Sequence, residues 1–299
     1  MWFKNLKLFS ITQSLDWNET DLEKQLGAFA FRPCSSQELS SMGFASPLQQ
    51  GDSLIHSAQG RIWICLKKQE RLLPAVVVNA ELAEKVAQIE AETGSPVGKK
   101  AQQDLKQEII HRLLPQAFTK NSFTHGFVSL QDNLVVVDAS ADGKAEAFLA
   151  MLRKAMTSLP VVPLARKSIQ ADLTSWVKDG SSPAAIQLLE EAEFRGQGEQ
   201  DSIVRVKNQD LGEDEIIQHI DAGKFVHKLA VEWDESLSAM IEEDLSIKRL
   251  KFTDVVKEQN DDIAKEDKLA RLDADFALMS GEIVRFAQWL KTTFELDQD

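Results

Sequence analysis

The sequence predicts an α+β fold with antiparallel sheets and flanking helices. Its strands come in pairs joined by short turns, as at 123–129 and 134–140, and three more follow one another between 224 and 252. Isolated helical segments stand between these groups of strands. Hairpins that alternate with isolated helices favour antiparallel sheets over a doubly wound parallel sheet.

The first 75 residues should contain strands and one short helix. Alternating apolar residues predict three strands, at 1–11, 53–56 and 61–66. Thr20 and Glu23 have the spacing of a capping box, which predicts that a helix begins there.

A helical hairpin is predicted within residues 76–122. The β-branched run at 75–78 leads into a helix at about 80–92, and a second helix follows at about 100–114. Glycine and proline between residues 94 and 98 separate the two helices, and Pro115 ends the second.

The rest of the chain continues the same alternation. An apolar run at 159–164 contains two prolines, which exclude it from the centre of a sheet. The further predicted elements are helices at 145–156, 169–196 (in two pieces), 214–220 and 267–294, and strands at 202–207, 224–233, 237–242 and 245–252.

Charge is distributed unevenly along an acidic chain whose formal net charge is −13. Residues 1–167 carry 19 Lys and Arg against 17 Asp and Glu, whereas the remainder carries 15 against 30. A protein with one basic face and an acidic exterior would show this asymmetry, and so would an acidic half kept soluble by its charge. We expect a central α+β region (1–75 and 123–167), a helical hairpin tip (76–122) and an acidic α+β C-terminal region (168–299).

No catalytic or metal-binding motif stands out, so no cofactor and no metal are expected. The segment at 94–100, GSPVGKK, has one residue too few between its glycines for a P-loop, and Lys100 stands where the hydroxyl is needed. Glu215 and His219 are four residues apart and could hold a metal, but a solvated pair is favoured. A hydrolase with a metal near the acids at 261–275 stays an alternative; those acids are Asp261, Asp262, Glu266, Asp267, Asp273 and Asp275.

The sequence also predicts a cytoplasmic protein. No apolar run reaches the length of a membrane span, and the N-terminal segment lacks the sections of a signal peptide. Cys34 and Cys65 are expected to be buried thiols, since their spacing fits no metal-type pair.

Clusters of basic residues are the remaining functional signal. On a strand, Arg205 and Lys207 share a face, and so do Arg249 and Lys251, with Lys248 on the opposite face. Two such stripes could contact phosphates, although for either one alone an ordinary polar sheet face is the favoured explanation.

Several segments resemble the RdgC family of recombination-associated proteins. They are MWFKNL at the N-terminus, HRLLPQAF at 111–118, LPVVPL at 159–164, LTSWV at 173–177, SIKRLKF at 246–252 and RLDADFALMSGE at 271–282. The resemblance covers essentially the whole chain. It implies a bacterial, nucleoid-associated protein that closes into a ring-shaped homodimer around duplex DNA. It further implies DNA binding without sequence preference, restraint of recombinase-driven strand exchange, and no catalytic activity.

The resemblance also implies roles for individual residues. Phe118 matches an aromatic wedge at one dimer contact, with Leu114 and Pro115 in the preceding turn. The matching basic positions are Lys99, Lys100 and Lys106 in the tip, and Arg205, Lys207, Lys248, Arg249 and Lys251 toward the hole. The expected partners are duplex DNA, single-stranded DNA as a second candidate, and a second copy of the chain, with the recombinase as the antagonised protein and no membrane. The alternative is an acidic adaptor that acts on a recombinase directly without binding DNA.

Overall fold

A computed structural model describes residues 2–48, 51–196, 202–263 and 267–296. Met1 of the first predicted strand and Glu266 of the acidic group lie outside the described residues. Within those ranges the protein is α+β, and the strand pairs with an assigned register are antiparallel, as the sequence predicts. None of the helices so described is long and apolar enough to cross a membrane.

The described helices carry the labels α1 to α8 in chain order. Their bounds are α1 Glu19–Gly27, α2 Ala75–Thr93, α3 Lys99–Leu113, α4 Asp142–Met156, α5 Gln170–Lys178, α6 Asp214–Asp221, α7 Asp254–Lys257 and α8 Lys268–Thr293. The strands are β1 Lys7–Ile11, β2 Ser40–Ala45, β3 Ile55–Ala58, β4 Arg61–Arg71, β5 Thr119–Ser129, β6 Leu134–Val137, β7 Val161–Pro163, β8 Ile186–Gly196, β9 Ile203–Lys207, β10 Lys224–Trp233, β11 Leu237–Glu242 and β12 Ile247–Phe252.

The strands form two sheets. One has seven strands in the order β2-β4-β5-β6-β1-β7, with β3 beside β4, and the other has the order β12-β11-β10-β8-β9. β7 lies at the edge of its sheet, as the prolines of its segment predict. A bulge interrupts the pairing of β11 with β12, and two others interrupt that of β8 with β10.

The chain divides into two compact units. Unit 1 comprises Met1–Ala28, Ser46–Cys65 and Thr124–Asp299, and unit 2 comprises Phe29–Ala45 and Leu66–Phe123. The predicted hairpin segment, 76–122, falls entirely within unit 2. The central region, hairpin tip and C-terminal region expected from the sequence are a different division of the chain, and that division stays a prediction.

The core of unit 1 is built around one face of α8. Phe276, Met279, Ile283, Phe286 and Leu290 recur every three or four residues and are each fully buried. This spacing places them on one side of an α-helix, which is why so long a segment is helical and amphipathic.

The helical hairpin of unit 2 is confirmed. Gly94 adopts φ 64° after the last residue of α2, and its N–H donates to the Glu90 carbonyl at 2.9 Å, so the helix ends there. Lys85 on α2 lies 2.6 Å from Glu108 on α3, and Arg112 pairs with Glu81. The two helices therefore run side by side.

One predicted helix begins earlier than expected, and one predicted segment has a different secondary structure. Residues 75–78, an alanine and three valines, belong to the first turn of α2, because Pro74 lies at its N-cap and Val78 is buried in its packing. The second half of 169–196 is not helical but forms β8, since β9 and β10 bond to it on both sides. Neighbouring strands that are distant in sequence override local helix propensity.

The capping box predicted for α1 is also wrong. Asn18 caps the helix by accepting from the Asp21 N–H at 2.8 Å. Glu23 instead accepts from the backbone N–H groups of Leu54 at 2.6 Å and Ile55 at 3.2 Å. Its carboxylate satisfies backbone donors at the start of β3, a contact that local spacing does not reveal.

Gly126→Ala is expected to destabilise unit 1. A Cβ at this position of β5 would lie 2.7 Å from the Val136 carbonyl oxygen and 2.7 Å from Cζ of Phe148. Backbone and a buried ring cannot both move aside, so we expect a loss of about 1–3 kcal/mol in the free energy of unfolding. Urea titration followed by circular dichroism measures it. Gly143→Ala on α4, which meets nothing within 4 Å, is the control, and an equal loss in both variants would contradict the steric explanation.

Candidate nucleic-acid interface

One face of the five-stranded sheet carries a cluster of charges around a depression of about 250 Å³. All five strands contribute to the lining of this depression. We call the cluster the charged face; it consists of Glu191, Glu193, Glu242, Arg195, Arg205, Lys207, Lys228, Lys248 and Arg249. Six basic groups stand against three carboxylates, so this face is formally positive on an acidic chain.

The strand register brings opposite charges together. Glu191 and Glu193 on β8 lie directly opposite Lys207 and Arg205 on β9. The Arg205 guanidinium donates to Glu193 at 2.7 Å, and Lys207 lies 3.6 Å from Glu191. The shared face predicted for Arg205 and Lys207 is present, but each of the two is paired with a carboxylate.

A bulge at Arg249 changes the arrangement predicted for β12. Ser238 pairs with Lys251 and Met240 with Lys248, so Arg249 and Leu250 together oppose one residue of β11. Arg249 has φ 54°, in the left-handed region. The prediction that Lys248 and Arg249 point to opposite faces is therefore wrong, and both line the depression.

Each glutamate of the charged face holds two basic groups. Arg195 and Arg205 share Glu193, Lys228 and Lys248 share Glu242 at 3.0 and 2.7 Å, and Arg249 and Lys207 share Glu191. Most of these pairs join residues of different strands, and together they fix the side chains of the face.

The three glutamates differ in their exposure to solvent. The side chains of Glu193 and Glu242 are 9% and 10% exposed, whereas that of Glu191 is 29% exposed. Burial opposes the ionisation of Glu193, but bonds from Arg205 and Arg195 outweigh it and lower its pKa to about 2. Burial likewise opposes the ionisation of Glu191, and Arg249 together with Lys207 lowers its pKa below the ordinary value. At neutral pH these two carboxylates are therefore ionised and hold their basic partners.

Lys251 lies apart from the charged face. It is exposed, and it lines another depression of unit 1 together with Lys4 and Lys257. Lys251 makes no ion pair within the described ranges. The structure therefore brings together four of the five basic residues predicted on strands.

Lys99 and Lys100 occupy the first turn of α3 in unit 2 and are exposed. That turn contains no acid, and the N-cap Gly98 has no side chain to cap it. Positive charge is unfavourable at a helix N-terminus, where an anion is favourable. The two lysines therefore do not serve helix stability, and neither makes an ion pair with a residue that the structure describes. Lys106, farther along α3, is half-buried.

Phe118 is 85% exposed on a turn that is held in place. Arg71 donates to the carbonyls of Leu114 and Ala117 at 3.1 and 3.3 Å, and the Leu72 N–H donates to the Phe118 carbonyl at 2.7 Å. An exposed aromatic ring on a braced backbone is suited to contact with a partner. Pro115 is exposed as well, but Leu114 is 2% exposed and packs inside unit 2. Leu114 therefore supports the turn and offers no contact surface of its own.

A second cleft of unit 1, about 350 Å³, contains a charged group of another kind. Lys7 on β1 lies 2.5 Å from Asp142 at the start of α4 and 3.2 Å from Asp244 before β12. Burial lowers the pKa of Lys7, but the two carboxylates outweigh this and raise it above its ordinary value. The lysine stays charged and joins three elements, which favours a structural role.

The described residues contain no group of three or more His, Cys, Asp or Glu that could hold a metal ion. The acids near the C-terminus have other contacts: Asp267 caps α8, Asp261 lies 3.0 Å from Arg271, and Asp273 lies 2.8 Å from His56. Glu215 of α6 accepts a bond from Gln209. Glu266 lies outside the described ranges.

Sequence reasoning missed the three glutamates, Arg195 and Lys228. The helix predicted over residues that form β8 would not place these charges on one face. The signal was present in residues 191–195, EAEFR, where charged and apolar residues alternate as they do on a half-buried strand.

A family model and several named relatives match all or nearly all of the chain. A family model described as "Putative exonuclease, RdgC" matches residues 1–297. A protein of Pseudoalteromonas atlantica named "Recombination-associated protein RdgC" is 67% identical over 299 residues, covering 100% of this chain and 99% of the relative. Proteins with the same name from Aeromonas hydrophila and Colwellia psychrerythraea are 48% and 46% identical, covering 96% and 100% of this chain and 95% and 100% of the relatives.

Proposed function

Because this chain belongs to the RdgC family of recombination-associated proteins, we propose that it is a non-catalytic protein that binds DNA without sequence preference. In this proposal a homodimer encircles duplex DNA and restrains recombinase-driven strand exchange by occupying the DNA. Its place in the cell would be the cytoplasmic nucleoid.

The observation that carries this proposal is the charged face of unit 1. Its six basic groups and three carboxylates leave an excess of positive charge on a chain whose formal net charge is −13. A concave surface of one net sign concentrates the field, while an acidic exterior repels a polyanion elsewhere. Lysine and arginine contacts to phosphates give affinity without reading bases.

Phe118 supports the homodimer in this proposal. Six of the large apolar side chains that are exposed in the described ranges belong to unit 2: Leu39, Leu72, Val76, Val77, Phe118 and Phe123. Burying Phe118 and Pro115 against a second copy would remove apolar surface from water. Two-fold symmetry repeats every such contact.

The family model's description favours a second candidate, an exonuclease. Metal-assisted phosphodiester hydrolysis needs converging carboxylates, and the described residues offer no group of three metal-binding side chains. Incubation of the purified protein with labelled duplex and Mg²⁺ separates the two candidates. Shortening of the strands that disappears with chelation would establish the enzyme and overturn the non-catalytic proposal.

Binding is expected to depend steeply on salt and not on sequence. If the dimer neutralises ~6–10 phosphates, affinity should fall by about 10³–10⁵ between 50 and 200 mM salt. Fluorescence anisotropy with duplexes of unrelated sequence measures this. A flat salt response would contradict the proposal, and so would strong preference for one duplex. An adaptor that captures a recombinase directly predicts no DNA binding at physiological salt.

Lys99→Ala and Arg249→Ala are each expected to weaken binding to all duplexes alike. Either substitution removes one phosphate-binding side chain per site, which should reduce the salt slope by about 1 for each phosphate no longer neutralised. Lys24→Ala is the control. Lys24 is an exposed lysine on α1 that belongs neither to the charged face nor to the lysine pair at the start of α3. An unchanged slope in either variant would remove that residue from the DNA path.

A further inference from the structure

The contact between Arg249 and Glu191 crosses the charged face. Arg249 lies on β12 and Glu191 on β8, and two strands, β11 and β10, stand between them in the sheet. The guanidinium nevertheless lies 3.0 Å from the carboxylate. Neighbouring strands are ~4.8 Å apart, so a flat sheet would separate these two strands by roughly 14 Å. The long arginine and glutamate side chains together cover this distance, so the ion pair spans the depression.

Two of the three glutamates cannot exchange their partners easily. Glu193 and Glu242 are almost completely buried, and each is held by two basic groups at 3.0 Å or less. Removing the partners of a buried carboxylate would leave an uncompensated charge. These two pairs belong to the framework of the sheet.

Glu191 differs from them in its exposure and in the length of one of its contacts. It is the most exposed of the three, and its contact with Lys207 is 3.6 Å long. Its partners are themselves open to solvent, since the side chains of Arg249 and Lys207 are 53% and 67% exposed. A carboxylate in this position occupies the place that a phosphate oxygen would take between the same two basic groups.

We propose that Glu191 is an internal competitor for phosphate that occupies Arg249 and Lys207 until a DNA phosphate displaces it. The inference rests on the proposed DNA binding and adds its regulation. Displacement exchanges one ion pair for another, so each contact yields less affinity than an unpaired arginine would. A protein that binds all sequences can then still dissociate from DNA.

The test is Glu191→Gln, which keeps the size of the side chain and removes its charge. Duplex affinity should rise roughly 5-fold per site, the upper range for an exposed ion pair. The salt slope should stay unchanged, because Arg249 and Lys207 contact phosphate in both complexes and only the competing carboxylate is removed.

Glu190→Gln is the matched control. Glu190 is the preceding residue of β8, it is exposed, and it makes no ion pair with any residue described here. Glu190→Gln makes the same change in net charge without releasing Arg249 or Lys207. The duplex affinity of this variant should therefore stay within about 2-fold of that of the unaltered protein. Equal gains in the two variants would mean a general charge effect and would overturn the inference.

A second comparison, in a chain that lacks both basic partners, tests whether Glu191→Gln acts by releasing Arg249 and Lys207. Glu191→Gln is introduced into a chain that already carries Arg249→Ala and Lys207→Ala, and the gain should then vanish. A gain that persists would overturn the inference, and circular dichroism confirms that each variant is folded.

Failure of the proposed function has a different signature. Absence of duplex binding by the unaltered protein and by Glu191→Gln would overturn DNA binding and the inference together. Binding by the unaltered protein, with Glu191→Gln no better than Glu190→Gln, would overturn the inference alone.

Discussion

Phe118→Ala is expected to weaken the proposed homodimer by about 10³-fold in Kd. A buried aromatic anchor contributes about 2 kcal/mol or more to an interface, and two-fold symmetry repeats the loss at the partner. The ring is 85% exposed in the single chain, so its removal should leave the stability of unit 2 nearly unchanged. Sedimentation velocity over a range of protein concentrations measures the dissociation constant.

The control for Phe118→Ala is Val255→Ala, which removes a 70% exposed apolar side chain from unit 1. Its dimer should dissociate like that of the unaltered protein. A second measurement asks whether dimers of each protein stay on closed circular DNA after a salt wash. An unchanged dimer that holds closed circles equally well would exclude Phe118 from the interface.

Stability is expected to fall as the pH decreases from about 6.5 to about 4, because a buried imidazole must take up a proton. His125 is 3% exposed, and the Trp63 indole N–H donates to its Nδ1 at 3.2 Å. Burial lowers the pKa of His125 from 6.5 to about 4. The neutral form is therefore favoured in the folded state. Its contribution to the free energy of unfolding is complete above pH 6.5 and is lost on acidification. The loss by pH 4 is on the order of 3 kcal/mol, given 1.36 kcal/mol per pKa unit.

The comparison between the unaltered protein and His125→Asn isolates this group. The asparagine oxygen can still accept from Trp63 but does not titrate, so urea unfolding at pH 7 and pH 4 should differ less in the variant. Trp63→Phe removes the N–H donor and keeps the imidazole, so it should retain the acid dependence. Identical pH dependence in all three proteins would mean that His125 does not govern acid stability.

The elements that local pattern predicts best are those in which one face meets one core. α8 repeats its apolar residues every three or four positions, and β10 and β11 alternate between turns, so their bounds differ little from the prediction. The helix predicted over β8 is wrong, because the conformation of this strand depends on hydrogen bonds to β9 and β10, whose paired residues lie 8 to 47 residues away in the sequence.

By itself the sequence determined the antiparallel α+β class, the helical hairpin at the glycine break, and the resemblance to the RdgC family. These depend on side-chain periodicity, on backbone-breaking residues and on the order of residues along the chain. Only the tertiary structure decided which charges meet. A one-residue bulge places Arg249 on the same face as Lys248, and its long side chain crosses the depression to Glu191 three strands away. Neither is encoded in a local pattern, because each depends on how strands distant in sequence pair.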